Sequence, residues 1–319
     1  MPTRRDVLAG MAGLLVGGAA ASASAQSFGS PSSRRKPAVT FAHLTDIHVK
    51  PEDGAADGMV KALRHAQVHP SRPAFMVNGG DAIFDALAVS PERAHALWKL
   101  WGETLAMNKA MPMRHCIGNH DIYGWNKTKS GAAGTEPYYG KQWAMEAYQL
   151  ESPYYSFGFG GWHFIVLDSC FPTGRPDGFV YRPLLDQEQF EWLRGELASV
   201  PEATPICVIS HVPIVSACAL FYGPPQDPDA PWPYLPLLVH LDARRIKDLF
   251  ARHKNVKVCV SGHIHLVEAL EYNGVSYYCN GAVCGDLWRG AHQDCQPGYA
   301  IVKLYDDGTS ECEYVPWQS

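Results

Sequence analysis

Seven side chains able to hold a cation recur at short spacings along the chain. Asp46 and His48 lie two apart, Asp81 follows Gly79-Gly80, and Asn119 sits in Gly118-Asn119-His120-Asp121. His211 follows alone, and His263 and His265 lie two apart after Gly262. Carboxylate, imidazole and amide oxygen together suit borderline divalent metals, and the set holds no thiolate to suggest a closed structural zinc site. Seven ligands are too many for one ion and about right for two ions sharing a bridging carboxylate. In extended chain, residues two apart face the same side, so Asp46 with His48 and His263 with His265 are expected as same-side pairs. Gly80, Gly118 and Gly262 permit sharp turns and close backbone approach beside them.

Short β-rich runs are positioned to carry these clusters. Strands are expected at 39–44, 74–78, 113–117, 162–168, 205–210 and 256–261, with helices at 57–68, 91–108, 140–149, 186–199 and 241–253. Every one of these strands except 162–168 runs into one of the polar clusters. In open α/β sheets the carboxyl ends of strands converge on one crevice, so the five clusters should meet in space. Ser90 followed by Pro91 caps the second helix, whose Leu97, Trp98 and Trp101 read as core. Toward the C-terminus, 266–272, 275–280, 298–304 and 310–315 read as strands, with turns at Asn273-Gly274 and Asp307-Gly308. The pattern is an α/β domain with a partly antiparallel C-terminal sheet, in a single unit over 38–319.

Asp-x-His, Gly-Asp, Gly-Asn-His-Asp, His and Gly-His-x-His, in that order over residues 46–265, resemble the calcineurin-like metallophosphoesterases. The resemblance implies a four-layer α/β/β/α sandwich of two mixed β-sheets flanked by helices. It assigns Asp46, His48 and His265 to a first metal, Asn119, His211 and His263 to a second, and Asp81 as the bridge. His120 would face the substrate without ligating metal, and Asp121 would orient it. The cofactors implied are two transition-metal ions drawn from iron, manganese, zinc or cobalt. Phe84 stands where purple acid phosphatases carry a metal-binding Tyr, which argues against that branch. Residues 162–169 and 185–193 look more like the branch of the class III cyclic nucleotide phosphodiesterases. That branch often has a second His where this chain has Val212.

Such a centre implies hydrolysis of a small-molecule phosphate ester, most simply a diester. Two ions about 3.5–4 Å apart would acidify a bridging water and clamp the phosphoryl group. In-line attack also needs a general acid opposite the nucleophile, and His120 is expected to be that acid. A phosphomonoesterase, a nucleotide-sugar or glycerophosphodiester hydrolase, and a non-catalytic receptor for a phosphorylated ligand are the competing readings. No P-loop, GxSxG elbow or HxHxDH run is present.

The chain has 319 residues, 46% hydrophobic and 18% charged, with formal net charge −5. This excludes a disordered or fibrous chain, and it gives no electrostatic drive toward nucleic-acid backbones or anionic membranes. Of 14 His, five fall in the motif blocks. The other nine read as structural, with His163 and His292 in the most open contexts. Two Gly- or Pro-rich insertions, 122–139 and 212–236, read as rims or lids, and their Tyr123, Trp125, Phe221, Tyr222, Trp232 and Tyr234 suit either stacking on a ligand or packing of the loops.

Arg4-Arg5 precedes an uncharged Gly/Ala-rich run, and Ala23-Ser24-Ala25 is a small-x-small cleavage site before Gln26. This resembles a twin-arginine export signal over residues 1–25, with Val7 where Phe is usual. It implies the twin-arginine export machinery as a partner, a periplasmic or secreted product, and no stable membrane anchor after cleavage. Residues 26–37 read as a flexible lead-in. All nine Cys lie beyond the signal, so at least one stays unpaired, and Cys170, Cys279, Cys284, Cys295 and Cys312 have the looser contexts in which disulfides form.

Overall fold

The computed structural model describes residues 26–28, 35–222 and 235–318. In chain order its elements begin with β1 (Gln26–Phe28), β2 (Val39–Leu44), α1 (Ala55–Gln67), β3 (Phe75–Asn78), α2 (Pro91–Asn108) and β4 (Met113–His115). They continue through α3 (Lys127–Ser130), α4 (Gln142–Tyr148), β5 (Tyr155–Phe159), β6 (Trp162–Leu167), β7 (Cys170–Pro172), β8 (Tyr181–Pro183), α5 (Gln187–Ser199) and β9 (Ile206–Ser210). A 3-10 turn (Cys218–Phe221) then leads to α6 (Ala243–Phe250), β10 (Val256–Ser261), β11 (Glu268–Tyr272), β12 (Val275–Cys279), β13 (Gly298–Leu304) and β14 (Ser310–Pro316).

Two six-stranded mixed sheets result, ordered β1-β14-β13-β2-β3-β4 and β11-β12-β10-β9-β6-β5. In the first, β2, β3 and β4 are parallel, and in the second β6, β9, β10 and β12 are parallel. Burial on both faces explains why their central strands are apolar throughout rather than alternating. Phe41, Phe75, Phe164, Ile209 and Val260 pack between the sheets. On the outer face of the first sheet, Leu44 and Met76 meet Leu63, Leu97 and Trp101 of α1 and α2. On the outer face of the second, Ile165 and Val208 meet Leu193 and Ile246 of α5 and α6. The expected four-layer α/β/β/α sandwich is the observed one.

Ser90 caps α2 by accepting from the Arg93 N–H at 3.4 Å. β5, which pairs antiparallel with β6, is not among the strands expected from the sequence. Its turn is Gly160-Gly161, both at positive φ, a recognisable two-residue hairpin signal. One correction concerns the lead-in: residues 26–28 form β1, with Gln26 opposite Tyr314 and Phe28 opposite Cys312 on β14. The unpaired edge of β14 supplies a hydrogen-bonding template that local composition does not reveal. The expected export signal lies outside the described residues. Among the described residues no helix is long and apolar enough to cross a membrane.

Candidate metal centre

The parallel strands β2, β3, β4, β9 and β10 deliver their C-terminal loops to one end of the sandwich, where all seven candidate ligands gather. The two pairs do not share a side by strand alternation. Asp46 and His48 lie past the end of β2, and His263 and His265 past β10, rather than in extended chain. All four, and Asp81, have left-handed backbone, with φ of 54°, 48°, 72°, 61° and 53° respectively. Non-glycine residues pay of order 1–3 kcal/mol for strained backbone and keep it where the surrounding structure over-determines it. Here the kinks aim the side chains inward. Gly118 and Gly262 allow the loops to close, since a Cβ on either would overlap Asp81 or Thr45 and Asp46.

Each of the four histidines has one ring nitrogen committed to a backbone carbonyl. Nδ1 of His48 donates to Phe84 (3.2 Å), Nδ1 of His211 to Gly79 (2.9 Å), Nδ1 of His265 to Gly285 (2.8 Å) and Nε2 of His263 to Leu237 (3.0 Å). These bonds fix the tautomer and leave the opposite nitrogen as a lone-pair donor facing the centre. Asp81 Oδ2 lies 3.7 Å from His48 Nε2 and 3.2 Å from His211 Nε2, between the two halves of the cluster. Asn119 Oδ1 and His263 Nδ1 each approach His211 Nε2 at 3.2 Å, and His265 Nε2 lies 3.3 Å from Asp46 Oδ1.

The carboxylates are divided in the same way. Asp46 Oδ2 accepts from the Thr45 hydroxyl (2.6 Å) and the His263 N–H (2.9 Å), while its Oδ1 is buried without a hydrogen bond. Asp81 Oδ1 accepts from the His120 N–H at 2.7 Å. Both residues are essentially inaccessible, and among the described residues no Lys or Arg pairs with either. Two buried carboxylates with inward oxygens and neutral imidazole donors fit a pair of cations. Burial lowers His48 to about 4 and His263 to about 3, keeping them unprotonated as ligation requires. Burial opposes charge on His211 and His120 too, but it is outweighed by Asp81 together with Asp46 and the Gly79 carbonyl at His211, and by Asp81 together with Asp85 at His120, and the two are raised to about 10 and about 9. A cation on the same oxygens would offset the same charge.

His120 differs from these four histidines. Its Nδ1 faces a carboxylate, Asp85 Oδ1 at 3.3 Å, and its side chain is 37% exposed to the cleft. The expected partner, Asp121, does something else. Its Oδ2 accepts from the N–H groups of Asp81 (3.0 Å) and Gly118 (2.9 Å) and from the Tyr148 hydroxyl (3.0 Å), and its Oδ1 from the Ala82 N–H (2.9 Å). Asp121 therefore ties the β3 and β4 loops together and does not reach the His120 ring. Burial, then the charge of Asp81, push it up to about 7. Asp85 stands four residues after Asp81 in plain view, but no local pattern distinguishes it from a surface acid.

The Cys284 thiol lies within 4.8 Å of ring nitrogens of His48 and His265, a neighbour that the sequence reading passed over. At the rim, the His292 ring is 5.7 Å from that of His265 and 6.0 Å from Tyr222. His163 instead pairs with Glu196 at 2.8 Å, a structural role. Tyr123 and Trp125 are buried in the core, whereas Phe221 and Tyr222 are exposed. Trp232 and Tyr234 lie outside the described residues.

Residues 39–267 match the family of calcineurin-like phosphoesterases, and the chain belongs to that family. It is 27% identical to the human serine/threonine-protein phosphatase CPPED1 over 223 residues, 69% of this chain and 62% of that protein. It is 25% identical to the 3',5'-cyclic adenosine monophosphate phosphodiesterase CpdA of Escherichia coli over 233 residues, 70% of each. A 3',5'-cyclic-nucleotide phosphodiesterase of Nostoc is 27% identical over 172 residues, 51% of this chain and 56% of that one. The matches thus span less than two thirds of the human and Nostoc proteins. Among solved structures, a dimetal phosphatase from Danio rerio shares the fold, with TM-score 0.57 and 16% identity over 85% of this chain and 94% of that one. So does GAP50, the anchor in the inner membrane complex of Plasmodium, with TM-score 0.54 and 14% identity over 88% and 85%.

Proposed function

We propose that the protein is an exported phosphodiesterase with two metal ions. Asp46, His48 and His265 would hold one ion, Asn119, His211 and His263 the other, and Asp81 both. The observation that carries this reading is the division of histidines: four are tied to carbonyls and turned inward, while His120 is tied to a carboxylate and turned to the cleft. When bound, the ions would acidify coordinated water and offset phosphoryl charge.

The chain's own groups supply the rest. Asp85 accepts the Nδ1 proton of His120 and so orients the ring. The Nε2–H of the imidazolium then faces the cleft and donates to the departing alkoxide oxygen of the ester. The chain's similarity to proteins named as cyclic-nucleotide phosphodiesterases favours a diester substrate. Its similarity to one named as a protein phosphatase supports a monoesterase as the second reading. Turnover of bis(4-nitrophenyl) phosphate well above that of 4-nitrophenyl phosphate by the metal-loaded protein is the expected result. The reverse order would establish the second reading.

Export rests on Arg4-Arg5 and Ala23-Ser24-Ala25. Cleavage before Gln26 would leave β1 whole. N-terminal sequencing of protein from a periplasmic fraction should begin at Gln26, and a Met1 start there would refute cleavage.

A further inference from the structure

All nine Cys are free and buried, and none takes part in the chemistry above. Two of them are brought together from segments far apart in sequence. Cys218 opens the 3-10 turn in the loop that leaves His211, and Cys279 closes β12. Glu268 joins them. Its Oε1 accepts from the N–H groups of Ala217 (2.8 Å) and Cys218 (3.0 Å), and on β11 it stands directly opposite Cys279. Opposed antiparallel residues have Cα atoms about 4.5–5.5 Å apart, so the Glu268 side chain holds Cys218 beside its own cross-strand neighbour. Both thiols enter the inter-sheet core, at 6% and 2% exposure, and Cys218 is the neighbour that acts most strongly on the Cys279 thiol.

Two other readings of this cluster fail. None of the groups of His, Cys, Asp and Glu within metal-holding reach among the described residues contains Cys218, Cys279 or Cys295, so this is not a thiolate metal site. Nor are the thiols sealed off as inert core. Cys218 and Cys295 line a cavity of about 820 Å³ together with Glu268 and Gln293. A small reagent in this cavity therefore meets Cys218 before Cys279, which does not line it.

We propose that Cys218 and Cys279 are a covalent modification site, a dithiol that a small disulfide such as oxidised glutathione converts to a Cys218–Cys279 disulfide. Cys218, as thiolate, attacks the reagent and expels one glutathione thiolate. Cys279 then attacks the mixed disulfide at Cys218 and expels the second. Two S–H bonds are lost and one S–S bond forms. The two electrons reduce the reagent's disulfide, and the two protons go to the released thiolates. Cys218, then burial, raise the Cys279 thiol well above its ordinary value and leave little thiolate, so the second step depends on its being intramolecular. The bond would pin to β12 the turn that ends at Phe221, immediately before Tyr222 at the rim of the metal centre.

The test is peptide mapping of the folded, full-length wild-type protein after exposure to oxidised glutathione, without reductant in the digest. A peptide containing Cys218 joined to one containing Cys279, with the mass of two hydrogens lost, is the expected product. Cys295→Ser should retain that crosslink, and Cys279→Ser should stop at the glutathione adduct on Cys218. A Cys218–Cys295 crosslink, or unmodified Cys218 and Cys279 after exposure, would overturn the assignment. Before oxidation, Cys279→Ser is expected to hydrolyse bis(4-nitrophenyl) phosphate as the wild type does.

Discussion

The Nδ1 of His120 lies 3.3 Å from Oδ1 of Asp85, although the two come from different loops, after β4 and β3. This pairing separates the histidine proposed as general acid from the four proposed as metal ligands, and under that proposal it gives Asp85 an orienting role that the neighbouring Asp121 does not perform.

The pairing has a kinetic consequence. His120→Ala should lower turnover of esters with poor leaving groups by about 10²–10⁴-fold while keeping metal content. Asp85→Asn keeps an acceptor oxygen for the Nδ1 proton but removes its charge and should cost about 10–100-fold in kcat with little change in KM. Elemental analysis beside steady-state kinetics checks both. Loss of metal from either variant would mean that the residue supports the cluster instead.

Asp81 stands between the two halves of the centre. Asp81→Ala should deplete both metals together, because His48 and His211 share the same carboxylate oxygen as neighbour. Metal-to-protein ratio after gel filtration is the measurement, and retention of two ions would exclude bridging.

Gly118 is required for space. A Cβ there would overlap both the carboxylate and the backbone nitrogen of Asp81. Gly118→Ala should therefore weaken metal binding through displacement of Asp81, with circular dichroism little changed. An alanine variant that binds metal like the wild type would show that the loop has slack.

Asp121 predicts a stability effect. Its carboxylate satisfies three buried N–H groups and the Tyr148 hydroxyl at 2.9–3.0 Å. Asp121→Asn turns an amide donor toward donors and should cost about 2–4 kcal/mol in denaturant unfolding. The folded fraction should keep the wild-type pH profile of turnover. A profile altered without loss of stability would return Asp121 to the chemistry.

Sequence alone determined a good deal of this molecule. The strands at 39–44 and 256–261, the helix at 91–108 and the convergence of five polar clusters on one sheet end are readable because periodicity, capping and strand-end position are local properties. The seven residues at the centre were legible as a set for the same reason. Tertiary structure decided what depends on contacts across the chain. Asp85 meets His120 across 35 positions, and Glu268 sets Cys218 against Cys279. Residues 26–28 become a strand because β14 offers an open edge. The inward aim of Asp46, His48, Asp81, His263 and His265 comes from left-handed backbone that none of these residue types prefers. Local preference opposes those kinks, and the packed loops of five parallel strands impose them.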